Sequence, residues 1–209
     1  MYDFTRLGWL KHCIYHPLEG FEDLRWKKEG SLRVAMAIVL LLFIAMVANR
    51  QLIGFAFNSS YVKVFNVVPL LVRSVVYFFS WVIANWAVCT LFSGEGTMRK
   101  ICIYSAYALV PYVVCVFVIV ALSNVLIIDE AVWLMGIYYF GMIWSVLLMF
   151  NAIKAVHQYS VIKTAISIFL TIVVMLIILF LAVLLLSLFQ QVMVFGFSIY
   201  TEIAYRIRG

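Results

Sequence analysis

A chain of 209 residues that is 67% apolar, 11% charged and has a mean hydropathy of +1.12 carries more apolar surface than one water-soluble core can enclose. Its net charge of +6, from 15 Lys and Arg against 9 Asp and Glu, is thinly spread. A soluble globular domain is excluded, and so is a membrane β-barrel, because the apolar runs are continuous and do not alternate over strands of about ten residues. The expected class is all-α: a polytopic integral membrane protein of about five transmembrane helices.

Residues 1–30 carry charge of both signs and no apolar segment ending in small residues, so they do not read as a cleavable signal. Phe4, Leu7, Leu10 and Ile14 recur at helical spacing, and Pro17 opens a second short segment with Leu18, Phe21 and Leu24 on one side. Both segments are expected to lie on the cytoplasmic membrane face. There Arg25, Lys27 and Lys28 would meet anionic lipid head groups, each contributing about 1 kcal/mol at best, offset in part by Glu19, Glu22, Asp23 and Glu29.

The spans expected next are Leu32 to Ala48, Val67 to Phe92, Ile101 to Leu122, Ala131 to Ile153 and Val161 to about Phe189. The last apolar stretch has no charge between Lys163 and Glu202, too long for one crossing, and lacks a turn signal that would divide it. Gln190 and Gln191 are expected to mark its exit from the hydrocarbon, and residues 196–209 to form an interfacial tail. The chain thus divides into 1–30, a five-helix domain over 31–195, and 196–209.

Lys and Arg set the orientation. With the N-terminus inside, the cytoplasmic side holds ten (Arg6, Lys11, Arg25, Lys27, Lys28, Arg33, Arg99, Lys100, Lys154, Lys163) and the other side five (Arg50, Lys63, Arg73, Arg206, Arg208). The expected topology is N-inside and C-outside.

Few residues carry chemistry. His12 and His16 stand four apart around Cys13 with Glu19 following, but Pro17 interrupts the helix and no second ligand cluster exists, so they read as interfacial histidines. His157 has no partner nameable from sequence. Four cysteines show no CxxC spacing, and three lie in spans as small apolar groups. The intramembrane polar residues are mild; Asn85, mid-span, reads as helix glue, and Arg73 lies close enough to a span end to snorkel. No nucleophile with a base and no phosphate-binding loop can be assembled, so neither an enzyme nor a cofactor nor a metal site is expected. Nucleic acid is likewise not expected as a partner.

The distinctive stretch is Leu91 to Pro111. Ser93, Gly94, Glu95, Gly96 and Thr97 make a tight polar turn, with Thr97 placed to cap the next helix and Arg99 and Lys100 anchoring its start. Pro111 should kink that helix, with Ser105 and Tyr107 expected to satisfy the freed backbone carbonyl locally. The segments LFSGEGTMRK (Leu91 to Lys100) and YSAYALVP (Tyr104 to Pro111), with Ala106 where the motif has glycine, resemble the Yip family of Ypt-interacting membrane proteins. His16-Pro17 and Gly20-Phe21 are similar to its short prokaryotic-type members.

The resemblance implies a five-span, N-cytoplasmic protein without enzymatic activity. The Asp-Leu-Tyr motif of the eukaryotic members is missing here. The resemblance therefore implies a membrane scaffold, or an accessory subunit of a carbohydrate ABC importer, in preference to a GTPase-linked trafficking factor. Expected partners are other integral membrane proteins, among them importer permeases, and a second copy of the chain in a homo-oligomer. Gly94, Glu95, Gly96, Arg99, Lys100, Tyr107 and Pro111 are the expected partner-binding residues. The alternative expectation is a channel or facilitator lined by Tyr104, Tyr107 and Asn85 at the Pro111 kink.

Overall fold

The computed structural model describes residues 6–27, 30–58 and 66–208; Phe4, Lys28, Glu29 and Lys63, which entered the expectations above, lie outside them. Among the described residues there are nine α-helices and no strand: α1 (Arg6–Tyr15), α2 (Gly20–Trp26), α3 (Leu32–Gln51), α4 (Val68–Leu71), α5 (Tyr77–Leu91), α6 (Met98–Ala108), α7 (Val110–Leu122), α8 (Ala131–His157) and α9 (Val161–Arg208). They make five stretches long and apolar enough to cross a bilayer: α3, α4 with α5, α6 with α7, α8, and α9.

The second span is continuous through a π turn at Val72–Val76. Its cause is local: the Ser74 hydroxyl donates to the carbonyls of Leu70 at 2.8 Å and Leu71 at 3.3 Å, competing with the α ladder. Arg73, in the same turn, stays exposed.

The third span breaks at Leu109, between α6 and α7. Pro111 is the cause, as expected, because its ring cannot follow an α carbonyl four residues back. The two hydroxyls expected to serve the freed carbonyl are engaged elsewhere. Ser105 accepts from the Trp81 indole N–H at 3.2 Å, and the Tyr107 hydroxyl accepts from the Ser31 amide at 3.3 Å. Both hydroxyls therefore serve other helices. The amide of Tyr112, just past the proline, donates to the Ser145 hydroxyl of α8 at 3.0 Å. Gly141 of α8 lets the two helices close, since a Cβ there would lie 2.6 Å from the Cys115 Cβ.

Ala35, Ile38, Leu42 and Ala45 form the buried face of α3, against α6 and α7. The far ends of α3 and α7 are tied together. The Gly54 amide donates to the Ser123 hydroxyl at 2.9 Å, and Asn124 Nδ2 donates to the Leu52 carbonyl at 3.0 Å.

The amphipathic pair α1 and α2 packs into one end of the bundle. Trp9, Cys13, Phe21 and Leu24 join the core around Ile101 to Ala108, and Phe21 lies 5.9 Å from the Tyr104 ring. Gly20 permits the tight α1–α2 turn, because a Cβ there would sit 2.7 Å from the Cys13 Cα. Burial, with Asp23 nearby, pushes the Cys13 thiol up to about 12, so it packs as an unreactive apolar group.

The fifth span is longer than expected. α9 continues without a break past Gln190 and Gln191 to Arg208. Only its first turns are well buried, at Thr164, Ser167 and Thr171; every residue from Val183 to Tyr200 is exposed.

Candidate functional site

The site is built where α5 stops. Phe92 closes the helix, Ser93 takes a left-handed φ of 54°, and the Gly94 amide reaches back to the Cys89 carbonyl at 2.7 Å, a Schellman-type ending. The Tyr159 hydroxyl lies 3.3 Å from the carbonyls of both Cys89 and Phe92, positioned to donate to these acceptors at the helix end. Thr97 then caps α6, accepting from the Lys100 amide at 3.4 Å, as expected from sequence.

His157, the last residue of α8, fills the space under this loop. Its Nδ1 accepts from the Gly96 amide at 3.3 Å, its Nε2 lies 3.1 Å from Asn85 Oδ1, and its ring stacks on Tyr159 at 5.3 Å. Because Nδ1 must be the acceptor, the proton sits on Nε2, which donates to Asn85, and the imidazole is neutral. Asn85 Nδ2 donates onward to the Thr171 hydroxyl at 3.2 Å, and Thr171 donates to the Ser167 carbonyl at 2.7 Å. Cys89 and Ser167 are in contact at 3.3 Å. One buried polar network thus joins α5, the following loop, α8 and α9. No buried side-chain N or O among the described residues lacks a partner.

Arg25 closes the site from α2. Its Nη1 donates to the Ala155 carbonyl at 3.0 Å, near the end of α8, and its Nη2 pairs with the Glu95 carboxylate. Lys154 and Glu22 add a looser pair at 3.9 Å. A guanidinium at a helix C-terminus is favoured both by the exposed carbonyls and by the helix dipole. Burial raises the titration of the Tyr159 phenol, so it stays a hydroxyl donor. Among the described residues, no three His, Cys, Asp or Glu side chains gather as a metal site. His12 instead pairs with Asp23 at 3.0 Å.

With this geometry in hand, comparison with family models finds the Yip1 domain across residues 11–200, nearly the whole chain. The chain belongs to the Yip1 domain family. Curated proteins and solved structures give no match. The Yip1 match spans the loop, the proline break, the first four candidate spans and most of the fifth, and agrees with the membrane class read from composition.

Within this Yip1 domain the seven expected partner-binding residues fall into distinct environments. Glu95 and Arg99 are exposed, Glu95 being engaged by Arg25, while Gly94, Gly96 and Lys100 are half-buried. Tyr107 and Pro111 are buried in the bundle. The two loop glycines provide room: a Cβ on Gly94 would lie 2.5 Å from His157 Nδ1 and Tyr159 Oη, and one on Gly96 would lie 2.4 Å from His157 Cε1. Arg25, Asn85, His157 and Tyr159 make the site, and sequence reasoning assigned none of them to it. The available signal was Thr164, Ser167 and Thr171 at helical spacing, a polar face at the start of α9 that needed a polar partner.

Gly96→Ala is expected to destabilise the purified chain by about 1–3 kcal/mol, since the His157 ring is fixed by stacking and by two hydrogen bonds and cannot yield. Thermal unfolding in detergent reads this. Gly136→Ala is the control: a Cβ there meets nothing within 4 Å, so the unfolding temperature should hold or rise.

Proposed function

We propose that this Yip1-family protein is a non-catalytic membrane scaffold that recruits another integral membrane protein along the outer part of α9. In this reading α1, α2 and the loop after α5 face the cytoplasm, as the Lys and Arg distribution favours. The knot around His157 holds the bundle as a fixed base. The carrying observation is α9 itself: its 48 residues rise about 72 Å at ~1.5 Å each. A hydrocarbon core of about 30 Å uses less than half of that length.

A straight crossing would carry the apolar stretch 192–200 out of the hydrocarbon, where another protein surface would cover it. The outer part of α9 presents a polar stripe, Ser187, Gln191, Ser198 and Glu202, spaced four, seven and four residues apart, which places them on one helical face. Such a stripe suits a membrane helix with its own hydrogen-bonding side chains. Importer permeases are the partner class that the resemblance implies.

Gln191→Leu combined with Ser198→Leu should leave the bundle folded and reduce recovery of the partner by about tenfold in a quantitative pull-down from native membranes, because two interhelical hydrogen bonds are lost. Unchanged recovery would remove α9 from the scaffold role.

A further inference from the structure

Between α1, α7 and α8 lies an open cavity of about 630 Å³ that the polar network does not reach. Pro111 and Val114 of α7 line one side, and Phe140 with Trp144 of α8 the other, the two rings stacked at 6.1 Å. All four belong to membrane-crossing stretches. α1, which packs on α6, borders the groove with Lys11 and Tyr15. Lys11 is exposed, with Nζ 5.8 Å from the Tyr15 ring centroid, and among the described residues it has no carboxylate partner. The neighbouring His12 is already engaged by Asp23.

We infer that this groove is a binding site for a single anionic glycerophospholipid in the leaflet that carries α1. One acyl chain lies between α7 and α8, and the phosphate group meets the Lys11 ammonium. The match is in two parts. The walls are apolar and lie in the spans, so they suit hydrocarbon; the single charge at the border is a cation beside an interfacial tyrosine, which suits a phosphate at head-group depth. A protein helix laid in the groove would bury Lys11 without an anion, which is costly. The proline break supplies the hollow: α7 starts anew at Val110, and the half-buried Cys115 one turn beyond Pro111 leaves space that a larger side chain would fill.

The test places the full chain in liposomes containing phosphatidylglycerol or phosphatidylcholine, each with a photoactivatable diazirine in mid-chain, and maps the adducts by peptide mass spectrometry. Phosphatidylglycerol is expected to label Val114 and Phe140 in excess over Leu41, a lipid-facing residue of α3, whereas phosphatidylcholine gives no excess. Lys11→Gln should cut the groove labelling by about fivefold, the weight of one basic residue at an anionic surface, with Leu41 labelling unchanged. Lys11→Arg should retain it. Val114→Trp, which fills the groove from an exposed position, should displace the label from Phe140. Equal labelling by the two lipids, indifference to Lys11→Gln, or Phe140 labelling unchanged by Val114→Trp would each overturn the assignment.

Discussion

Asn85→Leu is expected to lower the unfolding free energy by about 1–3 kcal/mol, although leucine fills a similar volume and suits a membrane span better. The reason is what the substitution strands. His157 is 2% exposed, and its Nε2–H has Asn85 Oδ1 as its acceptor. Without that acceptor the N–H is buried and unpaired, and the ring loses the contact that sets its tautomer. Thr171 suffers less, because its hydroxyl already donates to the Ser167 carbonyl. Average interhelical hydrogen bonds in membranes contribute only about 0.6 kcal/mol, so a loss confined to that figure would mean that water reaches His157. Denaturant unfolding of the purified chain, compared with a His157→Leu and Asn85→Leu double variant, measures this. The double variant removes both partners and should recover part of the loss.

A larger effect is expected at the opposite end of the bundle. In Gly54→Ala the new Cβ would lie 1.9 Å from the Ser123 carbonyl oxygen and 2.6 Å from its carbon. These are backbone atoms at the end of α7, so no rotamer change relieves the clash. The α3 and α7 ends must separate, losing the Gly54 amide bond to Ser123 and straining the Asn124 bond to Leu52. A destabilisation of about 3 kcal/mol or more follows, with poor recovery of folded protein from membranes. Ser123→Ala is the graded comparison: it removes the acceptor of the Gly54 amide and the hydroxyl's own bond to the Val120 carbonyl but adds no bulk, so it should cost about 1–2 kcal/mol.

Apolar run length carried the fold. Each of the five spans was visible because lipid demands continuous apolar helix, and their starts agree within a few residues with α3, α4, α6, α8 and α9. Local stereochemistry was legible too, as the Thr97 cap and the Pro111 break show. What sequence could not supply was pairing across helices. The kink at Pro111 was placed correctly, yet the Tyr112 amide just past it finds its acceptor in Ser145, 33 residues away in the chain. His157 and Asn85 are 72 residues apart, and Arg25 reaches Ala155 over 130. No local spacing signals such contacts.

Arg25 illustrates the cost of reading charge locally. Beside Lys27 it looked like one more head-group cation, whereas its two ends meet the Ala155 carbonyl and the Glu95 carboxylate. Glycine spacing was legible only in part: Gly94 and Gly96 read as a tight polar turn, but that the space they leave is occupied by His157 and Tyr159 was not. The end of α9 was also illegible, because neither Gln190 nor Gln191 interrupts a helix.

The scaffold account rests on α9 meeting another membrane protein, and site-specific photocrosslinking in native membranes tests that contact directly. A photoreactive residue introduced at Leu184, Leu188 or Gln191 should yield a discrete adduct with one other polypeptide, and the same group at Leu41 of α3 should yield lipid adducts alone. Lipid adducts alone from all three α9 positions would contradict the account.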